Sequence, residues 1–149
     1  MMADAALAGD RSRRVDLYFS RRGVADVIWD ANWNVVHIEA QGWADTAESR
    51  AILDSALRAM TDHEGSRWLV DGREMKATKQ SDQEWINENW LPRALEAGLR
   101  VAAIVMPNSA AAKINLDDMA SAAEDKIEVR YFSTVEKARQ WLAASARQQ

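Results

Sequence analysis

The feature that most constrains this chain is the stretch from Trp68 to Pro107, which reads as strand, loop, helix, strand. Arg67-Trp68-Leu69-Val70-Asp71 is an apolar run of strand length, ended by Gly72. Val101-Ala102-Ala103-Ile104-Val105-Met106 is a second such run, closed by Pro107. Between them Ser81-Asp82-Gln83-Glu84 opens a helix, because a serine followed three residues later by glutamate has the form of a reciprocal capping box. A helix between two nearly all-apolar strands implies parallel neighbours in one sheet, since a parallel return needs a crossover and that crossover is right-handed. Within the helix, Pro92 removes the amide that would bond the Glu88 carbonyl and crowds that turn, at a cost of roughly 3 kcal/mol in a straight interior. A kink or break near Trp90 and Leu91 follows, and Gly98 ends the second piece.

The segments on either side extend this unit into an α/β chain with a mixed sheet. Val15-Asp16-Leu17-Tyr18-Phe19 reads as a first strand, followed by a turn at Arg21-Arg22-Gly23. Ala25 to Asp30 and Val35 to Ala40 flank Ala31-Asn32-Trp33-Asn34, where asparagine tolerates the left-handed backbone of a tight turn, so an antiparallel hairpin is expected. In its second arm Val36, Ile38 and Ala40 alternate with Val35, His37 and Glu39, one face buried and the other at least partly wet. Asp45-Thr46-Ala47-Glu48 opens a helix whose Ile52, Leu53, Ala56, Leu57, Ala59 and Met60 form one apolar stripe, and Gly65 terminates it. After the Val101 strand, Asn108 or Ser109 caps an alanine-rich helix through Ala122 with Ile114 and Met119 inward. Ile127 to Phe132 alternates like a strand near a sheet edge. Ser133-Thr134-Val135-Glu136 then caps a last helix that turns Val135, Ala138, Trp141 and Leu142 inward.

At 149 residues the chain suits one domain, here residues 15–149, with residues 1–14 as a frayed tail. The tail's acids precede Arg11, Arg13 and Arg14, the reverse of the charge order of a signal peptide. The absence of cysteine excludes disulfides and thiolate metal sites and fits a cytoplasmic home. A formal net charge of -4 with interspersed signs argues against nucleic acid as a partner, and no apolar run approaches the ~18 residues of a membrane span.

The order of elements, with Trp68-Leu69-Val70-Asp71-Gly72-Arg73, then Trp85-Ile86, and the closing Tyr131-Phe132-Ser133-Thr134-Val135-Glu136-Lys137-Ala138-Arg139-Gln140-Trp141-Leu142, resembles the SpoIIAA-like, STAS/SEC14-type bacterial domains. The resemblance covers most of the chain after the tail. It implies N-terminal antiparallel strands leading into a parallel β-α-β core with helices mainly on one face, and a non-enzymatic role in binding or signalling. STAS antagonists carry a phosphorylatable serine just after a strand, at a helix N-terminus. Here the strand ending at Asp71 runs into Gly72-Arg73-Glu74, and the nearest hydroxyls, Thr78 and Ser81, stand outside that setting. Ser81 is carried as the phosphorylation candidate, and capping accounts for it without one.

Ligands of open α/β sheets sit beyond the carboxyl ends of the strands, which places Asp71, Arg73, Glu74 and Asn108 on a polar rim suited to an anionic or hydroxylated ligand. An Asp71–Arg73 pair that merely holds the loop is the plainer reading. Seven tryptophans are more than one core face absorbs, so Trp33 and Trp90 are divided between core and surface, and Trp85 and Trp90 sit on the kinked helix as a movable wall. Neither His37 nor His63 has metal-ligand spacing, and no nucleophile elbow, phosphate loop or dinucleotide fingerprint occurs. The reading is a non-catalytic module without cofactor or metal that binds a protein partner or forms a homodimer through tryptophan-bearing surface. The alternatives are a carrier of an apolar small molecule or lipid, and a small enzyme built on the loop around Asp71.

Overall fold

The computed structural model describes residues 14–123 and 125–148. Six strands form one sheet in the order β1 (Val15–Arg21), β2 (Ala25–Asp30), β3 (Val35–Ala40), β4 (Arg67–Asp71), β5 (Val101–Val105), β6 (Glu128–Phe132). The first two pairings are antiparallel and the last three parallel. The expected parallel β4–β5 pair is present, with Trp68 opposite Ala102 and Val70 opposite Ile104. No helix among the described residues is long and apolar enough to cross a membrane.

The sequential strand order decides where the helices go. Right-handed crossovers that always step in the same direction leave their helices on the same face. Helix α1 (Thr46–His63), the bent rod α2 (Gln80–Trp85) to α3 (Leu91–Ala97), and α4 (Ala110–Ala123) are those crossovers. Helix α5 (Val135–Gln148) follows the last strand and covers the opposite face. Val35, Leu69, Val101, Ala103 and Val105 meet its Ala138 and Leu142 there, while Val36, Trp68, Val70, Ala102 and Ile104 face the three crossovers. On β3 the face of Val35, His37 and Glu39 is partly wet, as expected, with His37 half-buried and Glu39 exposed, whereas β4 and β5 are covered on both faces, which is why they read as unbroken apolar runs.

Helix α1 begins as its sequence suggests: the Asp45 carboxylate accepts the Glu48 amide at 2.8 Å and Glu48 accepts the Asp45 amide at 2.9 Å. Its stripe of Ile52, Ala56, Ala59 and Met60 is buried on the sheet, a large side chain contributing about 1.5–3 kcal/mol when fully buried. It ends at Glu64, which takes the left-handed conformation (φ 53) itself. Gly65 serves a different need: a Cβ there would lie 2.7 Å from the Trp29 ring, which is stacked on His63 at 4.6 Å. At the β2–β3 turn only Asn34 is left-handed (φ 54).

Two local expectations are corrected. Ser81 does not cap its helix: α2 starts at Gln80, Lys79 is the N-cap residue without a side-chain bond, and Ser81 is exposed. Ile114 is 60% exposed, and α4 turns Ala112, Leu116 and Ala123 inward instead, with Met119 half-buried. The tail expected over residues 1–14 lies outside the described residues except for Arg14, whose carbonyl accepts the Ala31 amide at 2.9 Å. Ser109 and Thr134 do cap as expected, accepting the Ala112 and Lys137 amides.

Candidate functional site

The crossover face of the sheet does not close completely. Trp68, Val70, Ala102 and Ile104 form a floor; because Trp68 pairs across the ladder with alanine, a volume the size of a missing large side chain stays open beside the indole. Ile52 and Leu53 of α1 make one wall, and Leu116, Met119, Ala120 and Ala123 of α4 the other. The result is an apolar cavity of about 230 Å³, larger than the engineered cavity of ~150 Å³ that holds benzene. Its polar lining comes from Ser49, Lys76, Thr78 and Asn87, and Met75 to Thr78, between β4 and α2, contribute a continuous stretch of it.

The bent rod supplies the remaining wall. Pro92 cannot donate the bond of a regular α-turn, and the chain meets this with a π-helical turn over Ile86–Trp90, in which the Leu91 amide reaches back five residues to the Ile86 carbonyl. Pro92 then occupies the first turn of α3, where a missing amide costs little. Trp90 is brought inward, 3% exposed, its indole N–H donating to the Leu53 carbonyl at 2.8 Å and its ring 4.9 Å from that of Trp68. Trp90 is thus a cavity wall and not a surface anchor. The Trp68 indole N–H is buried without a hydrogen-bond partner.

The polar rim lies apart from this cavity. Arg73 grips Asp71 with two bonds, Nε to Oδ1 at 2.9 Å and Nη2 to Oδ2 at 2.8 Å. Burial would raise the Asp71 carboxyl, 4% exposed, but the hydrogen bonds and charge of Arg73 outweigh it and hold the group below the usual carboxylate range. The Gly72 amide donates to Val105 and the Asn108 amide to Arg73, stitching the two strand ends together. Glu74 and Asn108 are exposed, and none of Asp71, Arg73, Glu74 and Asn108 lines the cavity. Trp85 also stands outside it, half-buried beneath the guanidinium groups of Arg50 and Arg93 at 4.9 and 5.8 Å. Of the expected site residues, then, Trp90 alone joins the cavity. In the sequence the floor residues Trp68 and Val70 read only as strand positions, and within Met75–Thr78 only Thr78 is named, as a hydroxyl near Asp71; none is placed at a ligand site.

Beneath α5 lies a second polar group. Arg67, 6% exposed, donates to the carbonyls of Trp33 (2.6 Å), Asn34 (3.3 Å) and Leu142, tying the hairpin turn to α5. His37 is held below its ordinary pKa by burial first and by the Arg139 charge second, against the opposing pull of Asp71, Glu39 and Asp30. Half-buried Trp33 carries Arg139 over its ring at 5.5 Å, and Trp43 is 55% exposed on the loop before α1.

A comparison with protein families matches the model described as SpoIIAA-like over residues 35–143, from the start of β3 into α5. Comparisons with curated proteins and with solved structures give no match.

Proposed function

Because the chain belongs to the SpoIIAA-like family, a STAS-type, non-enzymatic regulatory or binding module, we propose that it acts by holding one small apolar molecule, of the short acyl-chain or aromatic-ring class, between the sheet and its crossover helices. The observation that carries this reading is the cavity of about 230 Å³, framed almost entirely by aliphatic and indole surface under a helix that departs from α geometry. Sites for small molecules are mostly apolar, with a few polar groups that fix orientation. Ser49, Thr78, Asn87 and Lys76 are those groups here, and Lys76 suits a ligand with an anionic end. The Met75–Thr78 stretch and the π turn are the parts of the wall with the least regular hydrogen bonding, so the ligand enters and leaves between them. A change at that stretch on loading is the route by which a protein partner reads the bound state.

The test is a titration of protein that has been unfolded, stripped and refolded, with the apolar fluorophore N-phenyl-1-naphthylamine. Saturable binding at one probe per chain is expected. Ala120→Phe fills the space from the α4 side and removes that binding while unfolding at an unchanged denaturant midpoint. A wild-type chain that takes up no probe overturns the proposal.

A further inference from the structure

The two edges of the sheet differ. β1 carries a bulge between Leu17 and Phe19, a device that blunts an edge against further pairing. β6 carries none: its five residues pair in unbroken parallel register with β5. The Glu128 amide donates to Arg100 and the Phe132 carbonyl accepts from Met106, so the backbone groups of Glu128, Arg130 and Phe132 point toward β5. By strand alternation those of Val129 and Tyr131 point away from the sheet, while the Ile127 amide just before the strand donates to the Ala123 carbonyl at 3.0 Å.

We propose that β6 is a homodimer interface, pairing antiparallel with β6 of a second copy about a two-fold axis at Val129 to make one continuous twelve-stranded sheet. Three registers set outward-facing residues against each other near the middle of the strand. Centring on Glu128 puts glutamate against glutamate, and centring on Arg130 puts arginine against arginine. Centring on Val129 puts Glu128 of each copy against Arg130 of the other, twice, in a non-hydrogen-bonded position where cross-strand side chains approach most closely. Only this register is charge-complementary, and it leaves about four backbone hydrogen bonds, two between the Val129 residues and one from each Tyr131 amide to the Ile127 carbonyl of the other copy. Both charged side chains are exposed, at 53% and 58%; within one chain they meet at 3.5 Å, and the Arg130 guanidinium also lies over the Trp141 ring at 5.4 Å. The flank agrees: a groove between β6 and α4 is bordered by Asp117, Ala120 and Ser121, and exposed Ile114 continues that side of α4 one turn earlier. An isologous two-fold contact buries it against the second copy.

The charge pair of this proposal lies away from the cavity, since Glu128 and Arg130 project to the α5 side of the sheet, while Ala120, Ile127 and Val129 border both cavity and groove; dimerisation and probe binding are therefore read separately, with dimerisation tested by the Glu128 and Arg130 variants alone. Sedimentation equilibrium of the full chain is expected to show reversible dimers. Arg130→Glu opposes carboxylates at both ends of the pairing and raises the dimer dissociation constant by about tenfold or more. The double exchange Glu128→Arg with Arg130→Glu restores it. Hydrogen exchange at the Val129 and Tyr131 amides slows as protein concentration rises. A chain monomeric at every concentration overturns the proposal. So does a dimer that Arg130→Glu leaves intact, or that the double exchange fails to recover while both variants unfold like the wild type.

Discussion

Trp90→Phe removes two things at once from the cavity wall. The indole N–H bond to the Leu53 carbonyl, 2.8 Å long, is worth about 0.5–1.5 kcal/mol net. The Leu53 carbonyl keeps its place in the α1 helical ladder after the change, so no orphaned acceptor adds to the cost. Trp90 is 3% exposed, and the two ring carbons that phenylalanine lacks contribute about 0.8 kcal/mol each. Together these give a loss of about 2–3 kcal/mol, a large part of the 5–15 kcal/mol that holds a typical domain folded. The vacated space joins an existing cavity, so uptake of an apolar probe is retained or strengthened while stability falls. Urea unfolding followed by circular dichroism checks the first half, with an unchanged m value as the sign that only stability has moved. A loss below about 0.5 kcal/mol, the range of ordinary surface changes, refutes the assignment of Trp90 to the wall.

Other perturbations act elsewhere in the fold. Gly65→Ala places a Cβ 2.7 Å from a Trp29 ring that His63 holds from one side, and a loss of about 1–3 kcal/mol is expected in thermal unfolding, typical of an overpacked site. His37 is kept neutral, its folded pKa lying below the unfolded value of about 6.5. Above that pH neither state binds the proton; below it the unfolded chain binds first, so stability falls with pH until the folded pKa is passed. The decline in melting temperature between about pH 7 and pH 5 is expected to flatten in His37→Phe. Asp71→Asn breaks a pair whose arginine is 51% exposed, so the cost is about 1 kcal/mol, with probe uptake unchanged because the pair lies outside the cavity.

The parallel centre was legible because β4 and β5 are covered on both faces, and a strand covered on both faces is apolar at every position. The bend at Pro92 was legible for a chemical reason, the missing amide, but not its form: whether a helix breaks or gains a π turn depends on what pulls the next residue, and here Trp90 is pulled into the core toward Leu53. Ser81 misled because a local capping pattern competes with tertiary contacts. The Asp82 side chain is buried and accepts from Thr46 of α1 at 3.3 Å, and the helix starts one residue before the serine, at Gln80. In α4 many positions are alanine, so the apolar stripe carries little phase information and the helix sits turned from the expected face, with Leu116 in and Ile114 out. The residues of the polar rim stand at the strand ends, where Arg73, Asp71 and Asn108 bond to one another. The cavity had no sequence signature, because its lining is drawn from β2 to β6 and from every crossover helix, one or a few residues at a time.

The proposed function requires that the space beside Trp68 and Trp90 take an apolar guest. Native mass spectrometry of the refolded chain with a fatty acid series, run beside Ala120→Phe, measures that directly. One molecule bound per chain by the wild type and none by the filled variant is the predicted result. Equal uptake by both proteins, or uptake by neither, contradicts it.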